Sequence, residues 1–455
     1  MLPRFIDTVV VSRLEYARLD LNYMRTPPME WLKKAIEIDS VTHQSNEAIV
    51  RFLIPLLKET GLKVETQKVV ENGISFYNLI AYSHSLSSPD LLVLNTHLDT
   101  VSGGQNLSWT KTQGNPYKLT QVKDRLYGLG TADVKLDFLC KIWAARLAKP
   151  WTRPFALVGT YGEERGLVGV QQLFRLQEFK PRYALVGEPS NLELIYAHKG
   201  HLIFTLASDI KAPKAKENIS TKIWKGKSAH SSTPDLGDNA IQKGLNDIIK
   251  RGFGVISLNG GTDSNRIPDR CEAELIKEKN PFTASLQGLL NEIEELSKEL
   301  KKQKDSRFSP ATSQVSLNLA RTIRGTIYLT FDIRLLPAMN GTKLKNRIET
   351  IAKKWAFAVN DFSIDSPMKG NKSSKFIKQA SLNLKACGIK AVTKTKASST
   401  EAAIYSQHGV EAVVFGPGLS VGNVHRPNEY NSLKQISKAT EFYTRMLRLS
   451  PRGTA

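Results

Sequence analysis

The sequence predicts a two-domain α/β protein, a larger α/β domain split in sequence around a smaller α+β one. Three observations predict it. A chain of 455 residues is longer than one hydrophobic core ordinarily organises. Short continuous apolar runs, LLVL at 91–94, FALVG at 155–159, YALV at 183–186 and AVVFG at 412–416, alternate with stretches of helical spacing. Runs this short, bounded by turn residues, read as strands buried on both faces. From about Ala197 the strands instead alternate polar with apolar, and the first style returns near Ser374.

Taken in order, Leu32 and Ile36, then Ile49, Leu53, Leu56 and Leu57, predict two helical pieces between Glu30 and Thr60, parted by an irregular 39–45. The runs LKVETQKV and FYNLIAY read as strands. DLLVLNTHLDTV reads as a central strand ending in His97-Leu98-Asp99, where period two puts His97 and Asp99 on one side. A glycine-rich turn at Tyr127–Thr131 precedes an apolar helix, Leu136–Leu147. Asp133 sits between them, where a helix cap or a metal ligand would sit, and Asp137 reads as a favourable charge in the first helical turn. The glycines do not form the G-x-G-x-x-G of a dinucleotide site. The run FALVG breaks at Gly162 into a loop bearing Glu163 and Glu164. In extended backbone these neighbours point to opposite sides, so the two carboxylates are expected to do different jobs. A helix near Val168–Gln177 leads to YALV, which delivers Glu188.

In the middle region, KGKSAHSSTPDLGDNAI is a turn-rich loop around His230 leading into a helix at Asn239–Ile249. Strands near Gly254–Leu258 and Cys271–Glu278 bracket GGTDSNRIPDR, which carries Asn265. Leu286, Leu289, Leu290, Ile293, Leu296 and Leu300 predict an added amphipathic helix near 284–304, packed on its own core or against a partner. In Gly325–Leu336, period two puts Asp332 and Arg334 opposite Phe331 and Ile333, so an inward apolar pair would turn the charged pair outward or into a cleft. Helices at Leu344–Trp355, Ser374–Lys385 and Ile436–Leu449 follow, the last after a loop bearing His425.

Composition narrows the function. The balance of 64 Lys and Arg against 43 Asp and Glu gives +21. The charges are scattered, however, and the densest cluster, Lys298–Lys304, ends a helix where cations suit the dipole. With no basic–aromatic interleaving, the excess reads as surface character that steers anionic substrates, and no nucleic-acid partner is expected. No apolar stretch approaches the roughly 20 residues of a membrane span. Residues 1–24 do not read as a signal peptide, since acids flank Val9–Val11. Three widely spaced cysteines imply neither a disulfide framework nor a thiolate metal site, and a cytoplasmic location is expected.

The strand-end groups are His97, Asp133, Glu163, Glu164, Glu188 and His425. Two imidazoles with carboxylates and no thiolate suit Zn²⁺, with Mn²⁺ or Co²⁺ as alternatives. The donors exceed one tetrahedral site and suffice for two metals sharing a carboxylate, leaving one acid free as general base.

The motifs LNTHLDTV, GLGTADVK, TYGEERG, GEPSNLELIYAHKGH, AHSSTPDLGDNAI, STEAA and GPG…NVHRPNEY, running from about residue 90 to 430, resemble those of the co-catalytic zinc amidohydrolases. That family includes acetylornithine deacetylase, succinyl-diaminopimelate desuccinylase, aminoacylase and carboxypeptidase G. The resemblance implies an exopeptidase-like α/β/α catalytic domain at 1–199 and 370–455, with 1–28 an N-terminal extension. It implies an inserted ferredoxin-like lid and dimerisation domain at 200–369. It further implies that His97, Asp133 and Glu188 hold one Zn²⁺, that Asp133 bridges to a second held by Glu164 and His425, and that Asp99 orients His97. Glu163 would pass the proton of the bridging water to the leaving amine. His230, in family dimers usually the partner subunit's, would stabilise the oxyanion, and Asn265 and Arg334 would bind substrate. The implied reaction hydrolyses an N-acyl amino acid. The motifs lie nearest those of the deacetylase, which acts on N-acetylornithine, with N-succinyl-diaminopimelate, another N-acyl amino acid or a dipeptide as rivals. An inactive scaffold with a basic surface is the alternative of another class. Two departures stand out: Leu136 replaces the usual glycine after D-x-K, and the 286–300 helix separates the Asn265 and Arg334 motifs.

Overall fold

The computed structural model describes residues 25–176, 179–210, 219–229, 231 and 234–449. The chain forms two compact units. One runs to Ala197 and takes in Lys369–Lys394 and the residues from Thr400 on; the other comprises His198–Met368 with Thr395–Ser399.

The larger unit is built on an eight-stranded sheet in the order Lys63–Glu71, Ile74–Tyr82, Phe155–Thr160, Leu92–His97, Tyr183–Gly187, Glu411–Val414, Leu194–His198, Thr393–Lys396. Leu92–His97 lies parallel to both Phe155–Thr160 and Tyr183–Gly187, and Glu411–Val414 lies parallel to Tyr183–Gly187. Every residue of Leu92–His97 and Phe155–Thr160 is buried, as continuous apolar runs require when helices cover both faces. Edge strand Lys63–Glu71 shows only exposed and half-buried positions. Register sets the site, because His97 pairs with Thr160 and Thr96 with Gly187. The carboxyl ends of three parallel strands therefore finish side by side, where open α/β sheets place ligands. A small sheet of Thr120–Val122, Arg125–Tyr127 and Tyr430–Ser432 ties the loop bearing His425 to the glycine turn before Asp133.

Three local expectations change. Val134, not Asp133, caps the helix Lys135–Leu147. Glu163 and Glu164 lie in a 3₁₀ turn, Glu163–Arg165, rather than in extended chain. Gly162 and Gly166 flank that turn at φ of 66° and 103°, a left-handed conformation that glycine adopts without strain. Asp137 does stand in the first turn of that helix, but its charge is turned inward: it is 1% exposed and paired with Lys141. The departure at Leu136 is absorbed as a fully buried helical side chain.

The smaller unit is a seven-stranded antiparallel sheet in the order Ser220–Lys225, Arg270–Ile276, Gly254–Gly260, Val315–Ile323, Thr326–Leu335, Gly200–Asp209, Ala358–Asp365. Helices Ala240–Arg251, Pro281–Lys302 and Gly341–Lys354 add Ile241, Leu245, Leu286, Leu289, Ile293 and Ile348 to one core with Phe204 and Phe331, whose rings stack at 5.0 Å. The added helix Pro281–Lys302 starts at Asn280, whose side chain accepts from the Thr283 N–H at 2.9 Å. Its apolar stripe is used on this core rather than left for a partner.

Candidate active site

Strand ends and the two tied loops bring four of the predicted donors into contact. His97 Nε2 lies 3.2 Å from Asp133 Oδ1, and His425 Nε2 lies 3.2 Å from Asp133 Oδ2 and 3.0 Å from Glu164 Oε1. One donor atom each from His97, Asp133 and Glu164 falls within 4.8 Å of the others. Asp133 thus offers one oxygen to each imidazole, which is the disposition a shared carboxylate needs. Glu188, at the end of Tyr183–Gly187, is 5% exposed and close enough to Glu163 for its charge to act on that carboxyl.

Asp99 does more than period two predicts. His97 Nδ1 meets the main-chain oxygen of Asp99 at 3.0 Å and its carboxylate at 3.6 Å, which leaves Nε2 facing the cluster. The same carboxylate accepts the backbone N–H groups of Glu163 and Glu164, each at 3.2 Å. One acid therefore holds both the first imidazole and the turn that carries the glutamate pair.

The electrostatics test whether these residues fit a metal. Burial works to lower both imidazoles, yet Asp133, Asp99 and Glu163 carry His97 well above its usual value, and Glu164 and Asp133 push His425 up to about 12. Burial would raise Asp133, but His425 and His97 hold it well below the carboxylate range. Glu163 moves the other way: burial first, then the charges of Glu188, Glu164 and Glu401, raise it well above its usual value against the pull of His97. The cluster draws protons onto both imidazoles to balance its carboxylates. Divalent cations meet the same demand, and nitrogen and oxygen donors without thiolates suit Zn²⁺, Mn²⁺ or Co²⁺. The residues fit.

Two buried acids escaped sequence reasoning. Glu429 Oε1 accepts from the N–H groups of Ala132 and Asp133 at 2.8 and 3.1 Å, fixing the loop that carries Asp133. Burial and the Asp133 charge raise Glu429 to about 8. Glu401 is 1% exposed, bonded to Asn95 and to Thr160 Oγ1 at 2.8 Å, and burial raises it to about 7. Both lie inside motifs, NEY and TEA, yet no spacing rule separates a buried supporting acid from a ligand.

Within the smaller unit, Arg334 and Asp332 are 2% and 1% exposed, like their neighbours Phe331 and Ile333 at 1% and 0%. The charged pair is not on the surface. Arg334 donates to Asp332 Oδ2 at 2.8 Å and to Ser231 Oγ at 2.7 Å, and His201 Nε2 meets Asp332 Oδ2 at 2.8 Å. The Asn265 carbonyl accepts from the Ser231 N–H at 2.9 Å, so Ser231 joins the two motifs that the added helix separates in sequence. His230 lies outside the described residues.

Comparisons with known proteins bear on the family and the fold. The chain is 32% identical over 305 residues to acetylornithine deacetylase of Photorhabdus laumondii, covering 60% of this chain and 73% of that one. It is 32% identical over 294 residues to the Vibrio cholerae protein of the same name, covering 59% and 71%. An M20 family metallo-carboxypeptidase from Sulfolobus solfataricus superposes with a TM-score of 0.64 at 17% identity, over 93% of this chain and 99% of that one. Aminoacylhistidine dipeptidase from Vibrio alginolyticus gives 0.62 at 16%, over 93% and 96%. These two show the fold. The model of peptidase family M20/M25/M40 matches residues 93–449, and with most of its length inside that match the chain belongs to this family of metallo-hydrolases.

Proposed function

We propose that the chain removes the acyl group from an N-acyl amino acid, N-acetylornithine foremost, giving ornithine and acetate. The carrying observation is the placement of Glu163. It sits among the cluster's charges, yet among the described residues it makes none of the short imidazole contacts that occupy Asp133 and Glu164. An acid so placed is free to move a proton. In this reading His97, Asp133 and Glu188 hold one Zn²⁺, and Asp133, Glu164 and His425 hold a second. When bound, the ions supply a nucleophilic hydroxide and polarise the scissile carbonyl. Glu163 takes the water proton and delivers it to the leaving nitrogen, one acid serving both halves of the transfer. Asp99 keeps His97 and the glutamate turn in register. His230 steadies the oxyanion. Asn265 and Arg334 hold the substrate, and Arg334 keeps a buried Nε–H that neither Asp332 nor Ser231 uses.

Relatives named acetylornithine deacetylase support the choice of substrate. The proposal extends to a homodimer formed through the smaller unit and, from three buried free cysteines, to the cytoplasm. Metal analysis combined with a substrate panel tests it: N-acetylornithine, N-succinyl-diaminopimelate, other N-acyl amino acids and dipeptides. The expected result is Zn²⁺-dependent turnover, abolished by chelation, with the highest kcat/KM for N-acetylornithine. Preference for the succinyl compound or a dipeptide would reassign the substrate, and a chain inert with every metal would overturn the reading.

A further inference from the structure

The proposed reaction makes no use of one buried ion pair. Asp137 and Lys141 stand one turn apart on Lys135–Leu147, their side chains fully buried and 2.7 Å apart. Burying such a pair gains little stability, because lost hydration offsets the attraction, and apolar side chains of similar size often serve as well or better. What distinguishes this pair is what it touches. Lys141 Nζ donates to the Asn95 carbonyl and to Thr96 Oγ1, both at 2.6 Å. Thr96 Oγ1 donates to Asp137 Oδ2 at 2.8 Å, and the Tyr443 hydroxyl donates to Asp137 Oδ1 at 2.6 Å. The pair also lies against Gly187, where a Cβ would fall 2.0 Å from Asp137 Oδ2 and 2.6 Å from Lys141 Nζ. Asn95 and Thr96 run directly into His97, and Gly187 runs directly into Glu188. The ion pair is thus bonded to the residues before one metal donor and packed on the residue before another.

Strand pairing already sets Thr96 opposite Gly187. Pairing alone leaves the strand ends free to tilt. All three N–H groups of Lys141 have an acceptor in Asn95, Thr96 or Asp137, and a fully satisfied polar network admits one arrangement where apolar packing admits several. Neither Glu164 nor His425 bonds to this network among the described residues.

We infer that Asp137 and Lys141 are positioning residues, which hold the ends of Leu92–His97 and Tyr183–Gly187 so that His97 and Glu188 converge on one divalent ion. The inference rests on the metal site proposed above. Its test is the full chain carrying Asp137→Leu/Lys141→Met, which removes both charges rather than stranding one. Zn²⁺ affinity is read by competition with a chelator, and donor geometry by the visible spectrum of the Co²⁺-loaded protein. The expected result is a folded protein in which one of two Zn²⁺ equivalents binds about 10- to 100-fold more weakly, with an altered Co²⁺ spectrum and the other equivalent unchanged. Tyr443→Phe deletes one hydroxyl and leaves the pair in place, so it should weaken the same equivalent less, and it decides the matter if the double variant does not fold. Wild-type affinity for both equivalents with a wild-type Co²⁺ spectrum would overturn the inference, and so would equal weakening of both, which marks general loosening. A wild-type chain that takes up no Zn²⁺ overturns the proposed function and this inference together.

Discussion

Glu163 and Glu164 are neighbours in the chain and strangers in environment, and substitution should separate them. Glu163→Gln should lower kcat by about 10²–10⁴ with metal content unchanged, since it removes a base and no ligand. Glu164→Gln should lose one metal equivalent, and the reverse pattern in metal analysis would exchange their roles. Glu429 gives a pH signature in the chelated protein. Its folded carboxyl stands at about 8 against an ordinary 4.5, so between those values the folded state keeps a proton that the unfolded chain gives up. The folded state binds more protons, so stability falls as pH rises through that window. Glu429→Gln keeps the acceptor oxygen and should flatten this fall, a difference on the order of a few degrees in Tm. Arg334→Ala would leave Asp332 buried without its cation, at a cost of about 3–5 kcal/mol by denaturant titration, along with a raised KM. The cluster of His97, Asp133, Glu164 and His425 was legible because strand-end His, Asp and Glu are conspicuous after apolar runs. Asp137 was not, because a first-turn acid that solvates the dipole and one that pairs inward with Lys141 look the same in a sequence.

At the level of elements, legibility followed burial. Most of the fully buried strands and the amphipathic helices were visible within a few residues of their ends, though Leu194–His198, buried throughout, was not separated from the strand that follows it. Val315–Ile323 and Ala358–Asp365 were missed. The latter is an edge strand, AVNDFSID, with no residue fully buried, so no apolar period marks it. The 3₁₀ turn was missed because it is stabilised from a distance, by Asp99 accepting two of its N–H groups. Gly288 makes a test at this scale. Helix propensity alone says Gly→Ala gains about 1 kcal/mol. A Cβ there would lie 2.2 Å from the Trp355 ring, so Gly288→Ala should instead destabilise the smaller unit by about 1–3 kcal/mol, measured by chemical denaturation.

For the whole molecule, two cores mean two stabilities. Ions bound by the larger unit stabilise only what holds them, by about 2.7 kcal/mol at a hundredfold excess over Kd. Chelation should therefore lower the melting of the larger unit and leave the transition of the smaller one in place, in calorimetry that resolves both. The larger unit is also discontinuous: Glu411–Val414 fills the place between Tyr183–Gly187 and Leu194–His198. A ribosome releases both flanking strands more than two hundred residues before the one that belongs between them, a delay of roughly ten to forty seconds at about 5–20 residues per second. Through that interval the nascent chain presents the open flank of Tyr183–Gly187, a short apolar strand paired with Leu92–His97 on one edge only, and an open edge of that kind seeds aggregation. Chains stalled or cut before residue 410 should depend on chaperones for solubility in a way that chains extended past it do not, and His425 joins a cluster whose other members, His97, Asp133 and Glu164, left the ribosome more than two hundred residues earlier.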